Sequence, residues 1–196
     1  MSRLLLLRHG LTPWNAERRF QGQVDIPLDP VGHRQAAAAA SELARYGPVR
    51  LWCSDLSRAR QTAEHVASAT GLELVFDERL REIHVGSFEG RLYWEVRDEF
   101  GPEPWDYEPH GGESEKTLAA RVAACLADLA ATVGEDETAV VVSHGHALRA
   151  GTASFLGLAP ASVLGNLVNC GWIELTRPAP QASWKLAAYN RVAPIS

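Results

Sequence analysis

The chain has 196 residues, 46% of them apolar and 22% charged, with a net charge of -5, which is the make-up of an ordinary water-soluble domain with a core of its own. The negative balance gives no general attraction to nucleic acid or an anionic membrane, and no apolar run approaches the roughly 20 residues of a membrane-spanning helix. Cys53, Cys125 and Cys170 are too few and too scattered for a disulfide framework, and none is spaced as a metal-ligand pair.

In chain order, Leu4-Leu5-Leu6-Leu7 predicts a buried strand ending at Arg8. This run is too short for the apolar stretch of a secretory leader, so the cytoplasm is the expected location. Leu11 to Pro30 is rich in Pro, Gly, Asn and Asp and reads as loop. The alanine-rich stretch from Gly32 to Tyr46 predicts a helix closed by Gly47-Pro48. Val49–Cys53 reads as a second strand, Arg58–Thr70 as a helix closed by Gly71, and Glu73–Phe76 as a third strand. Residues 77–114 mix Gly, Pro and aromatic residues without clear period. A stretch this long is expected to carry function, here as a lid or substrate segment.

Ser114 predicts the N-cap of a helix through Val133, with Leu118, Val122, Cys125, Leu126 and Leu129 on one face. Thr138–Val142 is the most strand-like run and ends at Ser143-His144-Gly145-His146. A helix over Ala147–Leu156 and two strands, Trp172–Leu175 and Trp184–Tyr189, complete the chain. The alternation predicts one domain over 1–196. It is a three-layer α/β sandwich whose central sheet is mostly parallel with one antiparallel strand, and helices cover both faces.

Ligands in such sheets bind beyond the carboxyl ends of the strands. Three of these ends carry Arg8-His9-Gly10, Ser54-Asp55-Leu56-Ser57-Arg58 and Ser143-His144-Gly145. A parallel sheet would bring two histidines and two arginines to one edge. Arginine offers a planar fork that fits phosphate, and of the 19 basic residues only Lys116 and Lys185 are lysines. A neutral imidazole can accept a phosphoryl group, and a protonated one can hold charge that develops on it. Histidine placed singly after a strand is more often structural, and that reading is preferred for His33, His65, His84, His110 and His146, of which His33 and His65 fall in helices and are expected to be exposed.

The ordered set of blocks is specific. Leu7-Arg8-His9-Gly10-Leu11-Thr12 with Trp14-Asn15 comes first, followed by Phe20-Gln21-Gly22, Asp25-Ile26-Pro27-Leu28 and Gly32. Then come Ser54-Asp55-Leu56-Ser57-Arg58-Ala59, Leu80-Arg81-Glu82-Ile83, Gly111-Gly112-Glu113-Ser114 and Val142-Ser143-His144-Gly145. In this order the chain resembles the histidine phosphatase superfamily, also called phosphoglycerate mutase-like, over about residues 4–150.

The resemblance implies that His9 becomes a phosphohistidine. It also implies that Arg8, Arg58 and His144 hold the phosphoryl group with Asn15 assisting, and that Glu82 serves as the proton donor and acceptor. Gln21, Gly22 and Gly145 are expected beside the phosphate. His84, Tyr93 and His146 are candidates for substrate choice, and Trp14, Phe20, Trp94 and Trp105 for a hydrophobic rim. Glu113 is read as a turn residue that can also support the site. No metal or cofactor is implied. The expected partner is a small phosphorylated metabolite, a sugar phosphate or phosphoglycerate ester, and a homodimer is expected by analogy. A phosphomonoester hydrolase is favoured over a cofactor-dependent phosphoglycerate mutase for two reasons. The stretch between Glu82 and Gly111 is short, and Asn169-Cys170-Gly171 resembles the phosphatase branch. A non-catalytic phosphate-ester binding module ranks third, because nucleophile and acid are both present.

Overall fold

The computed structural model describes residues 1–101, 107–158 and 163–194. Its strands are β1 (Ser2–Arg8), β2 (Arg50–Cys53), β3 (Leu74–Phe76), β4 (Thr138–Ser143), β5 (Trp172–Arg177) and β6 (Lys185–Arg191). They form one sheet in the order β3-β2-β4-β1-β5-β6. β1, β2, β3 and β4 pair in parallel, and β5 runs antiparallel to both β1 and β6, so a single strand is reversed.

Strand side chains alternate between faces, and the two central strands show it plainly. Leu4, Leu6, Ala139 and Val141 enter one core with Leu118, Val122 and Leu126 of α5 (Glu115–Thr132) and with Leu148 of α6 (Gly145–Phe155). Leu5, Leu7, Val140 and Val142 enter the other, under α2 (Pro30–Ala44) and α3 (Ser57–Thr70). Every residue of Leu4–Leu7 is fully buried, which is why that run is uniformly apolar rather than alternating. The predicted face of α5, including Cys125 and Leu129, is buried as expected. No described helix is long and apolar enough to cross a membrane.

The differences from the sequence reading are local. A one-turn helix, α1 (Pro13–Ala16), interrupts the expected loop. Thr12 caps it, Pro13 starts it, and four residues are too few to show a period. α2 starts two residues earlier than predicted, at Pro30, because the Asp29 side chain accepts from Gly32 N at 2.7 Å. α6 also starts two residues early, for a reason given below. His33 and His65, expected to be exposed, are partly buried and paired at 3.1 Å between Nδ1 and Nε2. The 77–114 segment contains 3-10 turns at Glu78–Leu80, Gly86–Phe88 and Glu108–His110 and the helix α4 (Tyr93–Phe100). Trp105 lies outside the described residues.

Candidate active site

Register brings the site together. Arg8 pairs with Ser143 across the parallel β1–β4 ladder, so the next residues, His9 and His144, emerge side by side. Their ring centroids lie 5.2 Å apart. Gly10 turns the chain away next to Gly32. A Cβ on Gly10 would stand 2.5 Å from Gly32 O, so the strand-to-helix connection closes over small residues. Asp25 reaches in from the loop to accept from Ser57 N at 2.6 Å and Ser57 Oγ at 2.7 Å. It thereby caps α3, whose own N-cap residue, Leu56, offers no side-chain bond. Arg58 follows in the first turn and points under the site.

His9 is 2% exposed and its Nδ1 lies 2.7 Å from Gly10 O. A carbonyl can only accept, so Nδ1 carries the proton and Nε2 holds a free lone pair. Burial first, then the guanidiniums of Arg58 and Arg8, push the His9 pKa well below its usual 6.5. The ring is therefore neutral and nucleophilic at neutral pH.

Arg58, 1% exposed, donates from Nε to His144 Nδ1 at 3.2 Å, and from its two terminal nitrogens to Val24 O and Gly22 O, each at 2.8 Å. Three of its five N–H groups are thus fixed by the protein, and one remains on each terminal nitrogen. Burial lowers its pKa to about 10, so it stays charged at neutral pH. Because Arg58 can only donate, His144 Nδ1 must accept. The His144 proton sits on Nε2 and is given to Ser54 Oγ at 2.8 Å. Burial, then Arg58, His9 and Arg8, hold His144 well below 6.5. Inside this buried pocket and beside these guanidiniums the ring is neutral at neutral pH.

Glu82 explains the early start of α6. Its Oε2 accepts from His146 N at 3.2 Å, and its Oε1 accepts from Ala147 N at 2.9 Å and from Ile83 N at 3.0 Å. The carboxylate so fills the place of a missing side-chain cap at His144. The loop bearing it is held from behind by Arg121 of α5. Arg121 grips Glu113 with two bonds, of 2.7 and 2.8 Å, and donates to the carbonyls of Arg79, Arg81 and Glu82. Arg81 pairs with Asp55 at the end of β2, and Ser143 Oγ donates to Leu80 O at 2.6 Å.

A cleft of about 510 Å³ opens at this edge, lined by Arg8, Glu82, Gly145, His146, Arg149 and Asn169 among others. Gly145 lets Arg8 lie flat on α6, since a Cβ there would stand 3.2 Å from Arg8 Nε. Asn169 Nδ2 donates to His9 O at 3.1 Å and to Gly10 O at 3.2 Å, fixing the backbone of the nucleophile. A second lobe shares Arg8 and Asn166 with the first and adds Arg18, Arg19, Phe20 and Tyr93.

The structure thus gathers Arg8, His9, Arg58, Glu82, His144, Gly145 and His146 at one edge, with Tyr93 in the adjoining lobe. Other expected residues act from behind. Asn15 Oδ1 accepts from Thr12 N and Asn169 Nδ2, and Gln21 Oε1 accepts from Thr12 Oγ1. Gly22 contributes a carbonyl to Arg58 rather than a contact to the cleft. His84 lies outside the cleft lining, 3.7 Å from Glu89. Phe20 stacks on Tyr93 and packs with Phe88 and Tyr107, so the expected aromatic rim is in part a packed cluster. Ser54, Arg121, Arg149 and Asn169 were not singled out from sequence as site residues.

A neutral imidazole flanked by two guanidiniums, with a carboxylate across the cleft, is built for phosphoryl transfer. The chain matches the histidine phosphatase superfamily (branch 1) over residues 4–191 and belongs to that family. Among its relatives is a glucosyl-3-phosphoglycerate phosphatase of Mycobacterium tuberculosis, 36% identical over 99% of this chain and 96% of the relative. A probable phosphoglycerate mutase of Enterobacter sp. (strain 638) is 40% identical over 81% of this chain and 76% of the relative. The solved structure of mycobacterial glucosyl-3-phosphoglycerate phosphatase with VO3 superimposes with a TM-score of 0.87 at 36% identity, covering 96% and 98% of the two chains. The protein is a histidine phosphatase, a phosphoric monoester hydrolase.

Proposed function

We propose that the chain hydrolyses phosphate esters of the phosphoglycerate type through a phosphohistidine at His9. The observation that carries this reading is the Nδ1–Gly10 O bond, which leaves Nε2 unprotonated beside Arg8 and Arg58. His9 Nε2 forms a bond to phosphorus as the ester P–O bond breaks. Glu82, entering as the acid, gives its proton to the departing oxygen. The two free N–H groups of Arg58 and the guanidinium of Arg8 neutralise the equatorial oxygens. A water then attacks phosphorus, Glu82 takes its proton, and the P–N bond breaks to release inorganic phosphate and restore His9. Burial first and the guanidiniums second keep His144 neutral; the arriving dianion counters the guanidiniums and so favours protonation of His144 against a phosphoryl oxygen.

The substrate class draws on the relative matched over nearly all of both chains, whose substrate joins a sugar to phosphoglycerate. The second lobe, with Phe20 and Tyr93 on its wall, suits a sugar face. The mutase reading stands second, favoured by the Enterobacter relative.

Incubation with glucosyl-3-phosphoglycerate, 3-phosphoglycerate and a panel of sugar phosphates separates the two. The hydrolase reading expects stoichiometric inorganic phosphate with the glycerate esters favoured. Accumulation of 2-phosphoglycerate from 3-phosphoglycerate without phosphate release would establish the mutase instead.

A further inference from the structure

Arg149 lies in the same cleft as Arg8, Glu82 and Gly145, yet the chemistry above gives it no task. It follows Gly145 by four residues on α6, so the two share one helix face, with Arg149 about 6 Å further along the axis. Gly145 is where α6 touches Arg8. A second guanidinium therefore lines the same cleft as the one that grips phosphate.

Its donors are poorly used. No ion pair to Arg149 exists among the described residues, Nη1 reaches Asn166 Oδ1 only at 3.4 Å, and the buried Nε has no hydrogen-bond partner. The cleft's own carboxylates are engaged elsewhere. Glu82 accepts three backbone N–H groups, and Glu115 accepts from His146 Nε2 at 3.1 Å. A partly desolvated guanidinium with unfilled donors is costly unless an anion meets it.

We infer that Arg149 is a second anion subsite that takes the carboxylate of a phosphorylated carboxylic acid while the phosphoryl group sits at Arg8 and His9. A planar, singly charged carboxylate matches one guanidinium fork. Two guanidiniums on the wall of one cleft of about 510 Å³ suit the two charged ends of a short phosphorylated acid. A second phosphate would bring two charges close to Glu82 and Glu115, which disfavours it. The inference rests on the phosphatase reading and names the group by which that site selects its substrate.

The test compares kcat/KM for 3-phosphoglycerate, glycerol 3-phosphate and propane-1,3-diol bisphosphate in the unaltered protein, Arg149→Gln and Arg149→Lys. The expected result is a preference of about 10- to 100-fold for 3-phosphoglycerate over glycerol 3-phosphate. That ratio collapses in Arg149→Gln and survives in part in Arg149→Lys. No preference in the unaltered protein overturns the inference without any variant having to fold, as does an unchanged ratio in Arg149→Gln. A preference for the bisphosphate that Arg149→Gln removes would assign the subsite to phosphate instead. Release of phosphate from none of the three, nor from glucosyl-3-phosphoglycerate, would overturn the phosphatase reading itself, and the subsite with it.

Discussion

Arg58 and His144 are joined by an Nε–H to Nδ1 hydrogen bond of 3.2 Å at a place where neither residue is more than 1% exposed. The bond sets the tautomer of His144 and spends one arm of Arg58 on the protein, so the two residues act as one unit. The nearby His9 ring is tied to the same pair by charge rather than by a bond, since Arg58 is the second cause of its lowered pKa.

Arg58→Lys keeps the charge and loses the fork. A single ammonium cannot serve His144, Gly22 O and Val24 O and still reach a phosphoryl oxygen. We expect kcat/KM to fall by about 10²- to 10³-fold and stability to drop by about 1–3 kcal/mol from the orphaned carbonyls. Steady-state kinetics and urea unfolding measure the two effects, and near-native values in both would contradict the assigned geometry.

Glu82→Gln removes the transferable proton and turns an amide donor toward one of the backbone N–H groups of His146, Ala147 and Ile83. Alkyl esters, which leave as strong bases, should lose about 10²- to 10⁴-fold in rate. p-Nitrophenyl phosphate, whose phenolate needs little protonation, should lose far less. Equal losses on both substrates would remove Glu82 from the acid role.

Acid should weaken the fold through the two site histidines. In the native protein, burial first and guanidiniums second hold His9 and His144 well below 6.5. In the unfolded chain both titrate near 6.5. Between those values the unfolded state binds more protons, so stability is complete above about pH 6.5 and declines as pH falls toward the lowered native values. The slope is up to about 1.4 kcal/mol per pH unit for each ring. Urea midpoints at about pH 7.5 and about pH 5.5 report it, and His144→Asn should flatten the decline. A midpoint higher at the acid pH would reverse the sign and the argument.

The sheet was legible because Leu4–Leu7 and Ala139–Val142 are uniformly apolar, and uniform burial marks central parallel strands. The residues at the ends of these runs, His9 and His144, were legible as a pair for the same reason, since parallel register makes neighbours of residues far apart in the chain. Supporting contacts were not. Asn169 and Arg121 act on backbone carbonyls of distant loops, and a carbonyl leaves no trace in residue type. Glu82 was found by its block, but its seat at the start of α6 depends on how the 77–114 loop folds back, which no period announces. The His144 tautomer needed the position of Arg58, a fact of packing alone.

The central claim is a phosphoryl group carried on His9. Mixing the protein with 3-phosphoglycerate, quenching in alkali, where phosphohistidine survives, and reading intact and peptide masses tests it directly. The account predicts one added phosphoryl group on the peptide holding His9, its decay matched by inorganic phosphate, and neither in His9→Ala. Undiminished turnover by His9→Ala, or a phosphoryl group on another side chain, would contradict it.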